Sequence, residues 1–221
     1  VAYPLYLALE TQNIGLKHMW YNGCPPMQGL HVLTHKNDYR CGEFNDAAFD
    51  LIYDDPTLEY VVLSGRLTIY LEGASYDNGE GGIEDNAYFP AGLIDRPAGP
   101  YPEAERRADV LRLYAKQVTD LLEAGKKVVL IYPVPEQGWN VPLFVAKALF
   151  FTGEEIDLSV PHDSYERRNA AVIAGFDALP AHPNLFRVKP AEILCDTFIK
   201  GRCVGALNQK SFYYDDDHLS N

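Results

Sequence analysis

Two short, nearly continuous apolar runs constrain the fold of this chain more than any other feature: Leu58-Glu59-Tyr60-Val61-Val62-Leu63-Ser64 and Lys127-Val128-Val129-Leu130-Ile131-Tyr132. The first stops at Gly65 and both are rich in β-branched residues, the pattern of strands buried on both faces. Between them Val110, Leu111, Tyr114, Val118, Leu121 and Leu122 recur at helical spacing, which predicts an amphipathic helix over 103–123 with Gly125 at C′. Strand, helix, strand in that order predicts an α/β fold with a parallel sheet covered by helices.

The rest of the chain fits this frame. A helix is expected over 1–12 from Pro4, a strand over 15–21, and short helices over 43–55 and 142–151. Asp163-Ser164-Tyr165-Glu166 has capping-box spacing and opens a helix to about Leu179, and Leu185–Val188 reads as a last short strand. From Thr68 to about Pro102 the pattern dissolves into Gly, Asp, Asn, Pro and Tyr, a stretch whose length marks it as functional or disordered. No repeat or linker interrupts the 221 residues, so a single domain over 1–221 is the economical count.

A net charge of −12 excludes a basic nucleic-acid surface, and no apolar run approaches the length of a membrane span. No signal peptide is present, and the chain opens on Val1-Ala2-Tyr3-Pro4 without an initiator Met, which predicts an excised or processed piece. The four cysteines allow three connectivities. They fall as two local pairs, so Cys24–Cys41 and Cys195–Cys203 are the bridges expected, in an oxidising compartment outside the cytoplasm.

In a parallel sheet, ligands bind beyond the carboxyl ends of the strands. Four segments are placed there: Gly23-Cys24, Gly65-Arg66 with the long loop, Pro133 to Trp139, and Tyr214-Asp215-Asp216-Asp217-His218. The last supplies two thirds of a nucleophilic triad, with His218 as base and Asp215, three residues earlier, as the carboxylate that orients it. Asp217 adjoins His218, but neighbouring side chains tend to diverge, so Asp215 is the better partner and Asp216 and Asp217 are left as supporting charge. Gly23 and Gly65 offer backbone N–H groups to an oxyanion and Arg66 a charged donor; simple turn duty is the competing account of both glycines. No serine follows the Gly-flanked pattern that exposes a nucleophile, and no strand precedes the first helix. Both absences point to a piece ahead of Val1.

Tyr214-Asp215-Asp216-Asp217-His218-Leu219-Ser220 resembles the last block of SGNH (GDSL-like) hydrolases, and more narrowly that of the SGNH domains fused to acyltransferase-3 membrane proteins. Similar matches cover Gly23-Cys24-Pro25-Pro26, Val61-Val62-Leu63-Ser64-Gly65-Arg66, Tyr132 to Pro142, Val160-Pro161 with Tyr165 and Arg168, and Cys195. The family's first block, Gly-Asp-Ser-His, carries its nucleophile and is not in these residues. Its third block is Gly-x-Asn-Asp, where this chain has Ser64-Gly65-Arg66-Leu67 without the Asn, so Arg66 or a backbone N–H is left as the third donor.

The resemblance implies a three-layer, flavodoxin-like fold, its first strand missing from this chain, and O-acyl, usually O-acetyl, transfer to or from a cell-envelope glycan. It implies a periplasmic domain tethered to the inner membrane, an acyl donor supplied by a fused or partner acyltransferase-3 domain, and no cofactor. Without the nucleophile, these 221 residues alone are expected to be inactive.

Tyr76, Tyr88 and Trp139, with Phe89 and Tyr101, are candidates to stack on sugar rings, against the alternative that they pack the loop onto the domain. No metal is expected. His31 and His35 stand four apart without the usual Glu, and the acidic run before His218 has no second cluster to complete a cation site. A non-catalytic module that binds or positions the glycan is the competing function.

Overall fold

A computed structural model describes residues 2–33, 40–84, 89–96 and 99–220. The elements run α1 (Ala2–Glu10), β1 (Leu30–Val32), α2 (Arg40–Asp54), β2 (Tyr60–Leu63), α3 (Leu67–Glu72), β3 (Ala91–Leu93), α4 (Glu103–Glu123) and β4 (Lys127–Ile131). They continue α5 (Val141–Thr152), β5 (Leu158–Pro161), α6 (His162–Asp177), β6 (Leu185–Val188), α7 (Ala191–Leu194), β7 (Arg202–Leu207) and β8 (Lys210–Ser211). The mixed α/β architecture with a parallel sheet is the expected one.

That sheet has the order β2-β4-β6, with Val61 opposite Val128 and Val128 opposite Leu185. Two crossovers step in the same direction, and α4 and α6 pack on one face of the sheet. Val61, Leu63, Val128 and Leu130 point into the core on that side, with Val110, Val118 and Leu121 of α4 and Val172 and Phe176 of α6. The other face is open: Tyr60, Val62, Phe186 and Val188 are exposed, so β2 alternates instead of being buried on both faces. An unbroken apolar run says that both faces are apolar, and only packing decides whether both are covered.

Residues 15–21, expected as a strand, form no ladder among the described residues, because a strand needs a neighbour to take its N–H and C=O groups. The stretch after β2 is less irregular than expected. It forms α3, buried from Leu67 to Leu71, and then β3, which pairs antiparallel with β1. Buried Arg106 of α4 explains how: its guanidinium donates to the carbonyls of Tyr70 (3.0 Å), Leu71 (2.5 Å) and Ala91 (2.8 Å), satisfying groups that a short helix and strand leave over.

Leu185–Val188 is not the last strand. β5, β7 and β8 make a second, antiparallel sheet, with Val160 opposite Cys203, and α5 packs on it through Val141 and Val145. α5 starts where Asn140 Oδ1 accepts the Leu143 N–H (3.1 Å) and stops at left-handed Gly153. α6 opens two residues earlier than its capping-box spacing suggested, on Pro161 with no side-chain cap; Asp163 instead accepts from Arg167 Nη1 at 2.6 Å. Cys24–Cys41 and Cys195–Cys203 are both bridged. Among the described residues no helix is long and apolar enough to cross a membrane.

Candidate active site

The turn at 215–218 is fixed by its own backbone before any chemistry. Tyr213 is buried and donates its hydroxyl to the Pro135 carbonyl (2.6 Å), while Tyr213 and Leu219 form an antiparallel bridge. The Tyr214 N–H donates to the His218 carbonyl (2.7 Å), and Asp215 Oδ1 accepts the N–H groups of Asp217 (3.1 Å) and His218 (2.8 Å). An aspartate at the head of a tight turn serves this purpose because its short side chain mimics a backbone acceptor. Two further bonds, Gln137 N–H to Asp216 O (2.8 Å) and Val141 N–H to Asp215 O (3.0 Å), tie the turn to the loop that leaves β4. That tie sets it at the carboxyl end of the parallel sheet.

His218 Nδ1 lies 2.9 Å from Asp215 Oδ2 and 2.7 Å from Asp217 Oδ1. Asp217 was expected to diverge from its neighbour. The tight turn brings it back, so two carboxylates share one ring nitrogen. The His218 side chain is 61% exposed, and Nε2 has no hydrogen-bond partner among the described residues. The bond to Asp217, opposed by burial and aided by the charges of Asp217 and Asp215, pushes the imidazole up to about 9. Burial works against the Asp215 carboxylate, but the N–H groups of His218 and Asp217 and the ring hold it below the usual range. Asp216 is pushed up to about 6 by burial and then by Asp217 and Glu84.

Arg66 joins this turn from the end of β2. Its Nη1 and Nη2 donate to Glu84 Oε1 and Oε2, each at 2.5 Å, and its Nε donates to Glu136 Oε1 at 2.5 Å and lies 3.0 Å from Asp217 Oδ2. Glu136 then accepts from Arg168 Nε (2.9 Å), and Arg168 Nη2 donates to the Ala74 carbonyl (2.7 Å). The guanidinium expected as an oxyanion donor is therefore committed to three carboxylates. Glu136 was not picked out as a site residue from the sequence, and Asp217 was read there only as supporting charge. The available signal was Glu136 itself, a carboxylate in the Pro-rich loop that follows a buried strand.

The glycines lie on neighbouring segments. A Cβ at Gly65 would stand 2.9 Å from Pro26 Cδ, so the absence of a side chain lets the 23–26 loop close on the end of β2. Gly23 sits on that loop at φ +72°, in the left-handed region. The aromatics divide differently. Tyr76 is 3% exposed and cannot stack on a sugar; it is packed into the loop, near Arg168. Trp139 is half-buried, packs on Phe144 at 5.3 Å and covers Gly82, where a Cβ would come within 2.7 Å of the indole. Tyr101 donates to Asp109 (3.0 Å) under the Arg96 guanidinium, and Phe89 packs on the core. Tyr88 and His35 lie outside the described residues. Tyr214, 76% exposed, presents a ring face next to Asp215.

A polar cleft of about 360 Å³ opens beside Arg168, lined by Ser75, Tyr76, Asp77, Ser164 and Arg167 as well. Asp215, Asp217 and His218 bring ligand atoms within 4.8 Å of one another, but those atoms already bond each other, and Asp217 also holds Arg66. In the other grouping, His162 with Cys195 and Cys203, both sulfurs are in a disulfide. His162 makes a second histidine–carboxylate pair, with Nδ1 2.6 Å from Asp196 Oδ2.

Comparison with known proteins bears on the fold and the family. A solved structure described as the Salmonella ser. Paratyphi A lipopolysaccharide acetyltransferase periplasmic domain is similar over 99% of this chain and 71% of its own, with TM-score 0.53 and 15% identity, a likeness of fold. No curated protein matches the sequence. The family model described as "SGNH domain (fused to AT3 domains)" matches residues 1–221. The carboxylate-held histidine at the carboxyl edge of a parallel sheet thus stands in a chain that belongs to the family of SGNH domains fused to AT3 domains.

Proposed function

We propose that this domain takes part in O-acyl transfer, of an acetyl group in the simplest case, to or from a cell-envelope polysaccharide. His218 moves the proton and Asp215 holds the ring. The observation that carries this reading is the state of the imidazole: Nδ1 is engaged by carboxylate while Nε2 has no partner among the described residues. That arrangement orients a general base and stabilises the imidazolium that forms when it takes a proton.

The chemistry needs a hydroxyl nucleophile at Nε2. Ser64 ends β2 exposed, and Ser220 Oγ donates to the Ser211 carbonyl at 3.1 Å, so neither is bonded to the ring. The serine of the family's first block fills the role in this proposal. Its hydroxyl attacks the acyl carbonyl and gives its proton to Nε2. The tetrahedral intermediate collapses, the donor's leaving group departs with that proton, and an acyl-serine remains. A sugar hydroxyl or water then repeats the attack, with Nε2 taking its proton and returning it to the serine oxygen. Backbone N–H groups at Gly23 and Gly65 supply the oxyanion donors, since the Arg66 guanidinium is committed elsewhere.

On the acceptor side, Tyr214 offers a ring face and the cleft beside Arg168 offers polar groups for sugar hydroxyls. The acyl donor comes from the AT3 domain of the family's architecture, on the periplasmic side of the inner membrane, where disulfides persist. The second reading, a module that positions the acceptor without turnover, draws on the missing third-block Asn and the committed Arg66. Acyl transfer to polysaccharide by the full-length protein decides between them. His218→Ala cuts transfer by roughly 10²–10⁴-fold on the first reading, and unchanged transfer in that variant removes His218 from the mechanism.

A further inference from the structure

We propose that Asp217, secured by Arg66, is a second positioning carboxylate of His218, and that Arg66 stands after Gly65 to hold that carboxylate in place. The proposal rests on the reading of His218 as the proton carrier. It concerns how the ring is held, which is measurable without turnover.

The two carboxylates are prepared in different ways. Asp215 Oδ1 takes two backbone N–H groups and lies 3.1 Å from Nδ1, and Oδ2 is the nearer oxygen at 2.9 Å. Asp217 has no such backbone anchor in the turn. Its Oδ2 lies 3.0 Å from Arg66 Nε, which leaves Oδ1 at 2.7 Å from Nδ1. Its side chain is 10% exposed against 27% for Asp215, so its pull on the ring is the less screened of the two. A single carboxylate lets an exposed imidazole swing about one hydrogen bond, whereas two on the same nitrogen fix its plane.

Arg66 is chemically suited to this task and lysine is not. One edge of the guanidinium meets Glu84 in a fork, and Nε remains for Glu136 and Asp217. An ammonium has no planar edge to offer three acceptors at once. The charged groups around the turn leave little choice of partner. Asp216 belongs to the turn itself, Glu84 comes from the loop after α3, Glu136 from the loop after β4, and Arg168 from α6; the phenols of Tyr70 and Tyr213 are the neutral neighbours. Arg66 is the cation in contact with Asp217, so the position of Asp217 depends on it.

Deuterium exchange at the imidazole Cε1–H of the His218 peptide, followed by mass spectrometry across pH in the intact protein, reads the protonation of this ring. His162 serves as internal reference. Asp217→Asn lowers the His218 midpoint by roughly one pH unit or more, the size of effect one adjacent carboxylate supplies. Arg66→Lys keeps the charge and lowers the midpoint by less, while Asp215→Asn also lowers it. An Asp217→Asn protein with the midpoint of the unaltered protein overturns the proposal, even if its thermal stability falls. A shift in Asp217→Asn with none in Arg66→Lys overturns the assignment of Arg66 alone. If Arg66→Lys fails to fold, restoration of the midpoint in Asp217→Glu against its loss in Asp217→Asn decides the Asp217 role. A protein that shows the shift but transfers no acyl group refutes the functional reading and leaves the positioning in place.

Discussion

His162 and His218 each meet an aspartate through Nδ1, at 2.6 Å to Asp196 and at 2.9 Å to Asp215, and the shorter of the two is the less informative. His162 opens α6 and reaches Asp196 across 34 residues, beside the Cys195–Cys203 bridge. Asp196 Oδ1 also accepts the Gly201 N–H at 2.5 Å, so that pair fastens a helix start to the turn before β7. His218 holds nothing distant together. Its acids are neighbours in the chain, its ring is largely exposed, and its second acid is anchored by Arg66 from beyond the end of β2. His218 is marked instead by a second carboxylate on Nδ1, itself paired with Arg66, and by a side chain 61% exposed against 26% for His162. Bond length alone does not mark it.

The sharpest way to break this comparison is a pair of alanine variants in the full-length protein. His218→Ala reduces acyl transfer by roughly 10²–10⁴-fold, the contribution of a general base, while His162→Ala keeps the rate and lowers the melting temperature. Equal losses in the two would erase the distinction. Next in size, replacing Cys195 and Cys203 by alanine costs about 2.5 kcal/mol in denaturant unfolding by the chain-entropy model, and leaves the His218 exchange midpoint unmoved.

Acidity then separates the turn from the fastener. His218 is raised to about 9 in the folded chain, chiefly by its bond to Asp217, from 6.5. Its contribution to stability is full below pH 6.5 and is lost as pH rises through 9, so unfolding monitored over that window shows a decline that His218→Gln removes. Transfer that uses neutral His218 as base rises over the same range. The smallest effect belongs to Asp216. Burial and then Asp217 and Glu84 raise it to about 6, above its ordinary value, so its ionisation opposes folding above pH 6 and the cost fades as pH falls toward 4. Asp216→Asn accordingly raises the melting temperature at pH 7 and has no effect at pH 4; a gain at both values would contradict the assignment.

The parallel sheet and α4 were legible because their periodicities are local: Glu103–Glu123 and Lys127–Ile131 fall where spacing placed them. The second sheet was not. β5 is four residues long and β8 two, too short to show alternation, and their pairing is set by distant partners such as Val160 with Cys203. Asp215 and His218 were visible as a spaced pair, but Asp217 was discounted by a rule about neighbours that holds for extended chain and fails in a turn closed by the Tyr214 N–H. Arg66 was visible as a charged donor at a strand end, but not as the partner of three carboxylates. Its partners Glu84 and Glu136 lie 18 and 70 residues away in the chain, beyond the reach of any local pattern. Tyr76 stayed between sugar contact and loop packing in the sequence, because an aromatic in a polar loop looks the same there whether it faces water or the core.

The chain of ions from Asp217 through Arg66 and Glu136 to Arg168 carries a consequence for how such a site changes over generations. Loss of Arg66 would leave Glu84, Glu136 and Asp217 facing one another without their shared cation, so no single acid or base in the group changes freely. Positions 66, 84, 136 and 217 should therefore drift as a set, with a neutral residue at 66 tolerated only where the acids have also gone. A descendant that recovers the family's Asn after Gly65 would have to re-secure its histidine turn by other means.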